Sequence, residues 1–439
     1  MRRSGTIFPR LLLWFGLATA AGLAVPAAAV PSFAVQTGQP CQACHVGGFG
    51  PQLTMFGREF KISGYTSRAG KFNVPLSAMV VAAYLHTKAD QASPPAPNFH
   101  VNDNLVLDQI SGFIAGGIGS HVGGFVQITY DGVGKTFSWD NTDLRVVTQA
   151  NIGGTPMVIG ASLNNSPGVQ DPWNTLTAWG FPYTSSAIVP SPAAAPLLSG
   201  GFAQNTIGLT AYAWINSTFY VEAGGYRTPS TGTLRWLGAD PYAPGDIRGV
   251  APYARVAMQK TIGNGNLEVG AFALRASLYP ERDRTTGLAD RYTDLGLDAS
   301  WLMPRDNGDV FSINARYMHE AQQLRASQAL GNAAGVNGSL NDWRLDASYY
   351  WRNAIGATLG VFDTYGSADP IRYGGPGNKP DSTGVILQLD GTPFGNGSPV
   401  GSWFNVRMGV QYTIYTRFDG NSDFASDNNT LRVFTWLAF

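Results

Sequence analysis

Both cysteines of the 439-residue chain lie in one five-residue run, Cys41-Gln42-Ala43-Cys44-His45. C-x-x-C-H is the signature of covalent haem attachment. Two residues between the thiols let both sulfurs reach the two vinyl groups of one porphyrin. The adjacent histidine then lies under the ring, and its imidazole nitrogen suits iron. The expectation is one covalently bound haem c, attached through Cys41 and Cys44, with His45 as an axial ligand of the haem iron. The other readings of such a pair are weaker. A thioredoxin-type redox site needs a βαβ context, which is absent here. A zinc site needs a second ligand pair. A disulfide across two residues is strained and leaves the histidine unexplained.

The sixth iron position stays open at the level of sequence. His86, His100, His121 and His319, with Met55 and Met79, are the side chains able to fill it, and an open or water-bound position is the further alternative. The choice matters because axial ligand identity is a main control of haem potential. No catalytic residue is expected beyond the haem.

The elements around the motif divide the chain into three parts. Residues 1–29 read as a secretory signal peptide: Arg2, Arg3 and Arg10 form the basic region, Leu11 to Val25 the apolar core, and Ala27-Ala28-Ala29 the cleavage site. A retained membrane anchor is the competing reading, disfavoured by the short apolar core. Residues 30–75 form a monohaem cytochrome segment, too short to bury a porphyrin in a core of its own. Residues 76–439 read as a transmembrane antiparallel β-barrel of about 16 strands. The overall expectation is an all-β, porin-like outer-membrane protein whose lumen is plugged by the small N-terminal segment.

The barrel reading rests on composition, period and loop lengths. Only 13% of residues are charged, 12% are aromatic and 54 are glycine, yet no apolar run after the signal is long enough for a transmembrane helix. A soluble β-sandwich shares that composition, so the pattern must decide. Trp343, Leu345, Ala347, Tyr349 and Trp351 alternate with Asp342, Arg344, Asp346, Ser348 and Tyr350. The same period of two runs through Phe311–Met318, Asp294–Trp301 and Phe404–Tyr412. Short turns around 153–154, 215–217, 263–266, 305–308 and 352–354 alternate with long connections over 87–102, 164–202, 228–249, 277–290, 320–339 and 364–380. Short periplasmic turns and long extracellular loops are the habit of outer-membrane barrels. A medium-length turn near Gly391 to Pro399 breaks the order, and the last segment alternates up to Phe439.

The polar faces carry Arg145, Glu222, Arg255, Asp294, Asp298, Arg316, Asp342, Arg344, Asp346, Arg407 and Arg432, which read as paired charges lining the lumen. Arg58 and Lys61 are the better candidates for holding haem propionates. The proline-rich connection 164–202 either folds inward and narrows the pore or stays at the surface, the simpler reading. Asp240, Asp246, Asp283, Asp369 and Asp419 lie in connections, where they attract cations or simply keep the loops solvated. The formal net charge is zero, which gives no reason to expect nucleic acid as a partner.

The run Pro31-Ser32-Phe33-Ala34, Gln36-Thr37-Gly38, Cys41 to Gly47, Gly50-Pro51-Gln52-Leu53, Phe56 to Lys61 and Gly64-Tyr65 resembles the fused outer-membrane monohaem cytochrome–porin family of iron-oxidising bacteria. The motif covers about residues 31–66; the rest of the chain is similar only in architecture. The chain departs from the family pattern at Val35, where arginine is frequent, and at Met55, where proline is. The resemblance implies oxidation of extracellular Fe(II), an Fe(II)-oxidase-like electron transfer, with electrons passed to a periplasmic carrier. It carries over Cys41 and Cys44 as attachment points and His45 as axial ligand. Outer-membrane lipid, Fe(II) and that carrier are the expected partners. Three other readings share the sequence: a transport porin with a structural or gating cytochrome segment, outward transfer to an external acceptor, and a haem sensor or small peroxidase.

Overall fold

The computed structural model describes residues 32–70, 75–394 and 404–439. The expected signal peptide, 1–29, lies outside the described residues, as does most of the medium-length turn expected near Gly391 to Pro399.

Among the described residues, sixteen strands form one antiparallel sheet in chain order. They are β1 (Leu76–Thr87), β2 (Asn104–Ile118), β3 (Val122–Asp131), β4 (Thr136–Ile152), β5 (Thr155–Asn164), β6 (Ile207–Ile215), β7 (Phe219–Arg227) and β8 (Ala251–Ile262). They continue as β9 (Gly265–Tyr279), β10 (Asp290–Pro304), β11 (Val310–Gln323), β12 (Asn337–Trp351), β13 (Ile355–Gly366), β14 (Ser382–Gly391), β15 (Asn405–Arg417) and β16 (Thr430–Ala438). A two-residue strand, Asp246–Ile247, adds to the outer end of β9. Met79 of β1 lies opposite Ser111 of β2 on one side and Ala438 of β16 on the other. The sheet therefore closes on itself and leaves no edge.

Burial along the strands is inverted relative to a water-soluble fold. Asp342 and Glu268 are fully buried, whereas Leu389 is 65% and Leu209 63% exposed. On β12, Asp342, Asp346, Ser348 and Tyr350 are buried, and Trp343, Leu345, Tyr349 and Trp351 face out. In water this arrangement would forfeit about 25 cal/mol for each Å² of apolar surface left outside. It is stable where the exterior is hydrocarbon and the lumen polar, as in a membrane-spanning barrel of the bacterial outer membrane.

One rim carries the start of β1, the end of β16 and the turns 119–121, 153–154, 216–218, 263–264, 305–309 and 352–354. By loop length it is the periplasmic rim. The opposite rim carries 88–103, 165–206, 228–250, 280–289, 324–336, 367–381 and 418–429. One outer connection departs from the expected order: 132–135 is a tight turn, because β3 and β4 stay paired out to Asp131 and Thr136.

Among the described residues, two segments lie inside the wall. The first is N-terminal: α1 (Ser32–Thr37), α2 (Cys41–Cys44) and α3 (Met55–Ile62). The second is the connection 165–206. It folds inward rather than staying at the surface, because its buried groups find partners on the lumen face. Trp173 Nε1 donates to Gln259 Oε1 at 2.7 Å, Asp171 Oδ1 lies 3.5 Å from Arg255 Nη2, and Leu197 N donates to Glu320 Oε2 at 2.6 Å. Of the charges expected in the lumen, all are buried there except Arg344, which is partly exposed.

Candidate functional site

Helix α2 is a single turn that begins after Pro40 and places Cys41 and Cys44, three residues apart, on one face. His45 leaves it in an extended conformation and bridges Leu53, and Val46 N donates to Gln52 O at 2.9 Å. Residues 45–53 thus form a tight loop. Gly47 sits at φ +75°, and a Cβ there would lie 2.7 Å from the Tyr350 ring. The loop is moulded to the wall at a point where only glycine combines that conformation with that contact. Thr54 caps α3: its Oγ1 accepts from Gly57 N at 3.2 Å and donates to Ala43 O at 2.5 Å. The missing side chain of Gly57 lets α3 approach α2, since a Cβ there would collide with the Cys44 carbonyl.

Wall residues distant in sequence hold this loop. Asn353, in the turn after β12, accepts from Gly47 N at 2.6 Å and donates to His45 O at 3.0 Å. Thr392 Oγ1 donates to Gly47 O at 2.7 Å, and Gln52 Nε2 to Ser312 Oγ at 2.7 Å. Arg407 of β15 ties three elements: Nη1 donates to Phe49 O at 2.5 Å, Nη2 to Tyr350 Oη at 2.6 Å, and Nε meets Asp390 Oδ2 at 2.7 Å. Farther along, Gln36 bonds Tyr65 O at 2.7 Å and Gly117 N at 2.8 Å, and Tyr65 Oη donates to Asp143 Oδ2 at 2.7 Å.

On the side facing β1–β4 and β16 the packing opens into a cavity of about 640 Å³. That volume falls in the range of roughly 300–1,000 Å³ usual for cofactor and ligand sites. Cys41, Cys44 and His45 line it together with Phe33, Phe60, Tyr65, Phe113, Phe125, Trp179 and Trp436. It runs from Ser77 and Ala438 near the periplasmic rim to Asp108, Asp140 and Gln204 in the outer half. The inward connection supplies part of this wall, including Trp179 and Tyr183.

The electrostatics suit a neutral ligand set. Burial pushes His45 down to about 4, so its imidazole is unprotonated at neutral pH. Its Nδ1 is buried and makes no hydrogen bond within ordinary geometry. Burial, reinforced by Cys41, raises the Cys44 thiol to about 12, so it is not a thiolate nucleophile. Lys61 Nζ donates to Val169 O at 2.7 Å and Asn174 Oδ1 at 2.8 Å, and burial lowers it to about 7.

No family model and no curated protein matches the chain. Three solved barrels with which it aligns are Pseudomonas putida OprB, the anion-selective porin from Comamonas acidovorans, and the outer membrane channel DcaP of Acinetobacter baumannii. OprB is 14% identical, with 83% of this chain and 93% of that one covered and a TM-score of 0.49. The Comamonas porin is 12% identical over 83% and 98%, with a TM-score of 0.45. DcaP is 12% identical over 86% and 100%, also at 0.45. The barrel assignment rests on the strand pairing and inverted burial above, independently of these likenesses.

The structure sorts the candidates that sequence left together. Lys61 lines the cavity. Arg58 does not: it points to the opposite wall, where Nη2 donates to Ser300 Oγ at 2.7 Å and Nη1 to Asn266 Oδ1 at 3.1 Å. Asp240, Asp246, Asp283, Asp369 and Asp419 stay dispersed, each engaged locally; Asp369, for example, accepts from Ala334 N at 2.9 Å and Ile371 N at 2.9 Å. Among the described residues no group of acidic, histidine and cysteine side chains forms a metal cluster. Sequence reasoning missed Asn353, Tyr183 and Trp179. The density of Trp and Phe in the inward connection was a readable signal, whereas nothing local marks Asn353.

Proposed function

We propose that this chain is an outer-membrane electron conduit in which the N-terminal segment holds one haem c inside the barrel. The observation that supports it is the placement of Cys41, Cys44 and His45 on the wall of a cofactor-sized, largely aromatic cavity. Cys41 and Cys44 would carry the thioether links and His45 the iron. Lys61, on the same wall, would meet a propionate; position beside the motif alone did not separate it from Arg58. When bound, a haem supplies one-electron exchange between ferrous and ferric iron.

The chain's own residues do the rest. Arg407, Asn353 and Gln52 fix the loop that carries His45. The Phe33–Phe60–Tyr65 cluster, with ring centroids 5.1–5.7 Å apart, excludes water from one side of the cavity. Extracellular Fe(II) is the donor that the N-terminal resemblance implies, and a periplasmic carrier the acceptor. One Fe(II) leaves as Fe(III), and only the electron crosses the membrane, so insoluble ferric product stays outside.

A second reading is a transport porin gated or braced by the N-terminal segment. The barrel itself favours it, since a closed sixteen-strand wall is the architecture of solute channels, and the cavity extends over much of the wall height. That architecture fits the porin reading more directly than the conduit. The lumen filling by two segments favours the conduit. Stopped-flow absorbance of the oxidised protein mixed with Fe(II) at neutral pH, paired with solute flux in liposomes, separates the two. Fast haem reduction that is lost in His45→Ala, without flux, supports the conduit. Solute flux from a protein that Fe(II) does not reduce sinks it and leaves the porin.

A further inference from the structure

We propose that Met79 Sδ is the sixth ligand of the haem iron, an inference that rests on the haem reading above. Six side chains were candidates, and the fold separates them. His86 is on the outer rim, bonded to Asp103 at 2.8 Å, and His100 is exposed in the outer connection 88–103. His121 stands in the periplasmic turn 119–121, its Nδ1 engaged with Val147 O at 2.9 Å. His319 is on the lipid face of β11, bonded to Asn341 at 2.9 Å. Met55 packs with Val46, Leu302, Val310 and Tyr350, away from the cavity. Met79 is the one of the six that lines the cavity shared by Cys41, Cys44 and His45.

The surroundings of Met79 place it beside the His45 loop. It is on the lumen face of β1, where alternate residues, Val81, Ala83 and Leu85, are buried. Trp436 Nε1 donates to its sulfur at 3.3 Å, and Gln109 Nε2 lies 3.9 Å away. The Trp436 ring packs on Phe49 with centroids 4.8 Å apart. The thioether is thus one side chain removed from the loop that begins at His45. A neutral sulfur suits an aromatic, water-poor cavity, and methionine opposite histidine raises haem potential, as acceptance of an electron from Fe(II) requires. Trp436 is a positioning residue: its N–H fixes the sulfur and withdraws electron density from it. With this ligation the iron joins the N-terminal segment to the barrel wall.

The test uses the full-length haem-loaded protein in detergent. The oxidised protein is expected to show the weak far-red band of a thioether–ferric bond. Met79→Leu conserves volume, so the barrel folds. It should lose the band, lower the potential, and bind carbon monoxide about tenfold faster or more once the competing internal ligand is gone. Met79→His should restore a six-coordinate iron without the band, and Met55→Leu should keep it. A band that persists in Met79→Leu, or a haem-bound native protein that lacks one, overturns the assignment of Met79 and leaves the haem reading intact. A native protein with no covalent haem overturns both.

Discussion

The two sides of the lumen are built on opposite plans. Towards β8–β13 and β15 the interior is packed solid with charge. Arg255 meets Asp298 at 2.5 Å and Glu268 at 3.3 Å, Arg58 reaches Ser300, and Arg407 joins Asp390 to the Phe49 carbonyl. Towards β1–β4 and β16 the wall turns small and apolar residues inward, such as Val81, Ala115 and Ala438, and a cavity remains. The N-terminal segment is bonded to one wall and turns Cys41, Cys44 and His45 towards the cavity at the other.

This contrast can be broken at either side. The largest effect belongs to the hollow side: Cys41→Ser with Cys44→Ser should abolish covalent haem, read by haem-stained gels and absorbance, while the barrel still shows its heat-dependent gel shift. Loss of the barrel as well would mean that the cavity is structural. On the packed side, Arg407→Ala leaves Asp390 buried without its cation and should cost about 3–5 kcal/mol. Thermal unfolding should register that loss, and limited proteolysis should cut the N-terminal segment first. Arg344→Ala, at a partly exposed pair with Asp342, should cost under about 1 kcal/mol.

A smaller effect is expected where the two plans meet. Gln36→Ala strips a partner from Gly117 N and from the Tyr65 carbonyl and should cost about 1–3 kcal/mol, measured by thermal unfolding. The finest test is pH. Lys61 sits at about 7 in the folded chain against 10.5 when unfolded. Between those values the unfolded state binds the extra proton, so folding gains stability as pH rises towards 10.5 and the penalty is complete below about 7. Relative to Lys61→Met, the wild type without haem should therefore become more stable from pH 7 to 10. A flat difference across that range would show that Lys61 is not desolvated in solution.

Much of the wall was legible in the residues because a strand has a period of two. The alternation of Asp342 to Trp351 names two faces without any structure, and the order of short and long connections separates the rims. The tight turn at 132–135 was not legible, since it depends on how far β3 and β4 stay paired. Nor was the fate of the proline-rich connection. Its inward fold follows from partners such as Gln259 and Glu320, which stand on strands far along the chain.

The sequence by itself determined what is local: the C-x-x-C-H spacing, most of the order of short and long connections, and which residues share a strand face. Tertiary structure alone decided what is distant. It chose Lys61 over Arg58 for the cavity, brought Met79 there and left five other candidates elsewhere, and set Asn353 against His45. The physical reason is closure. Once β1 pairs with both β2 and β16, each lumen-facing side chain acquires neighbours fixed by strand register around the ring, and no short window of sequence contains that register.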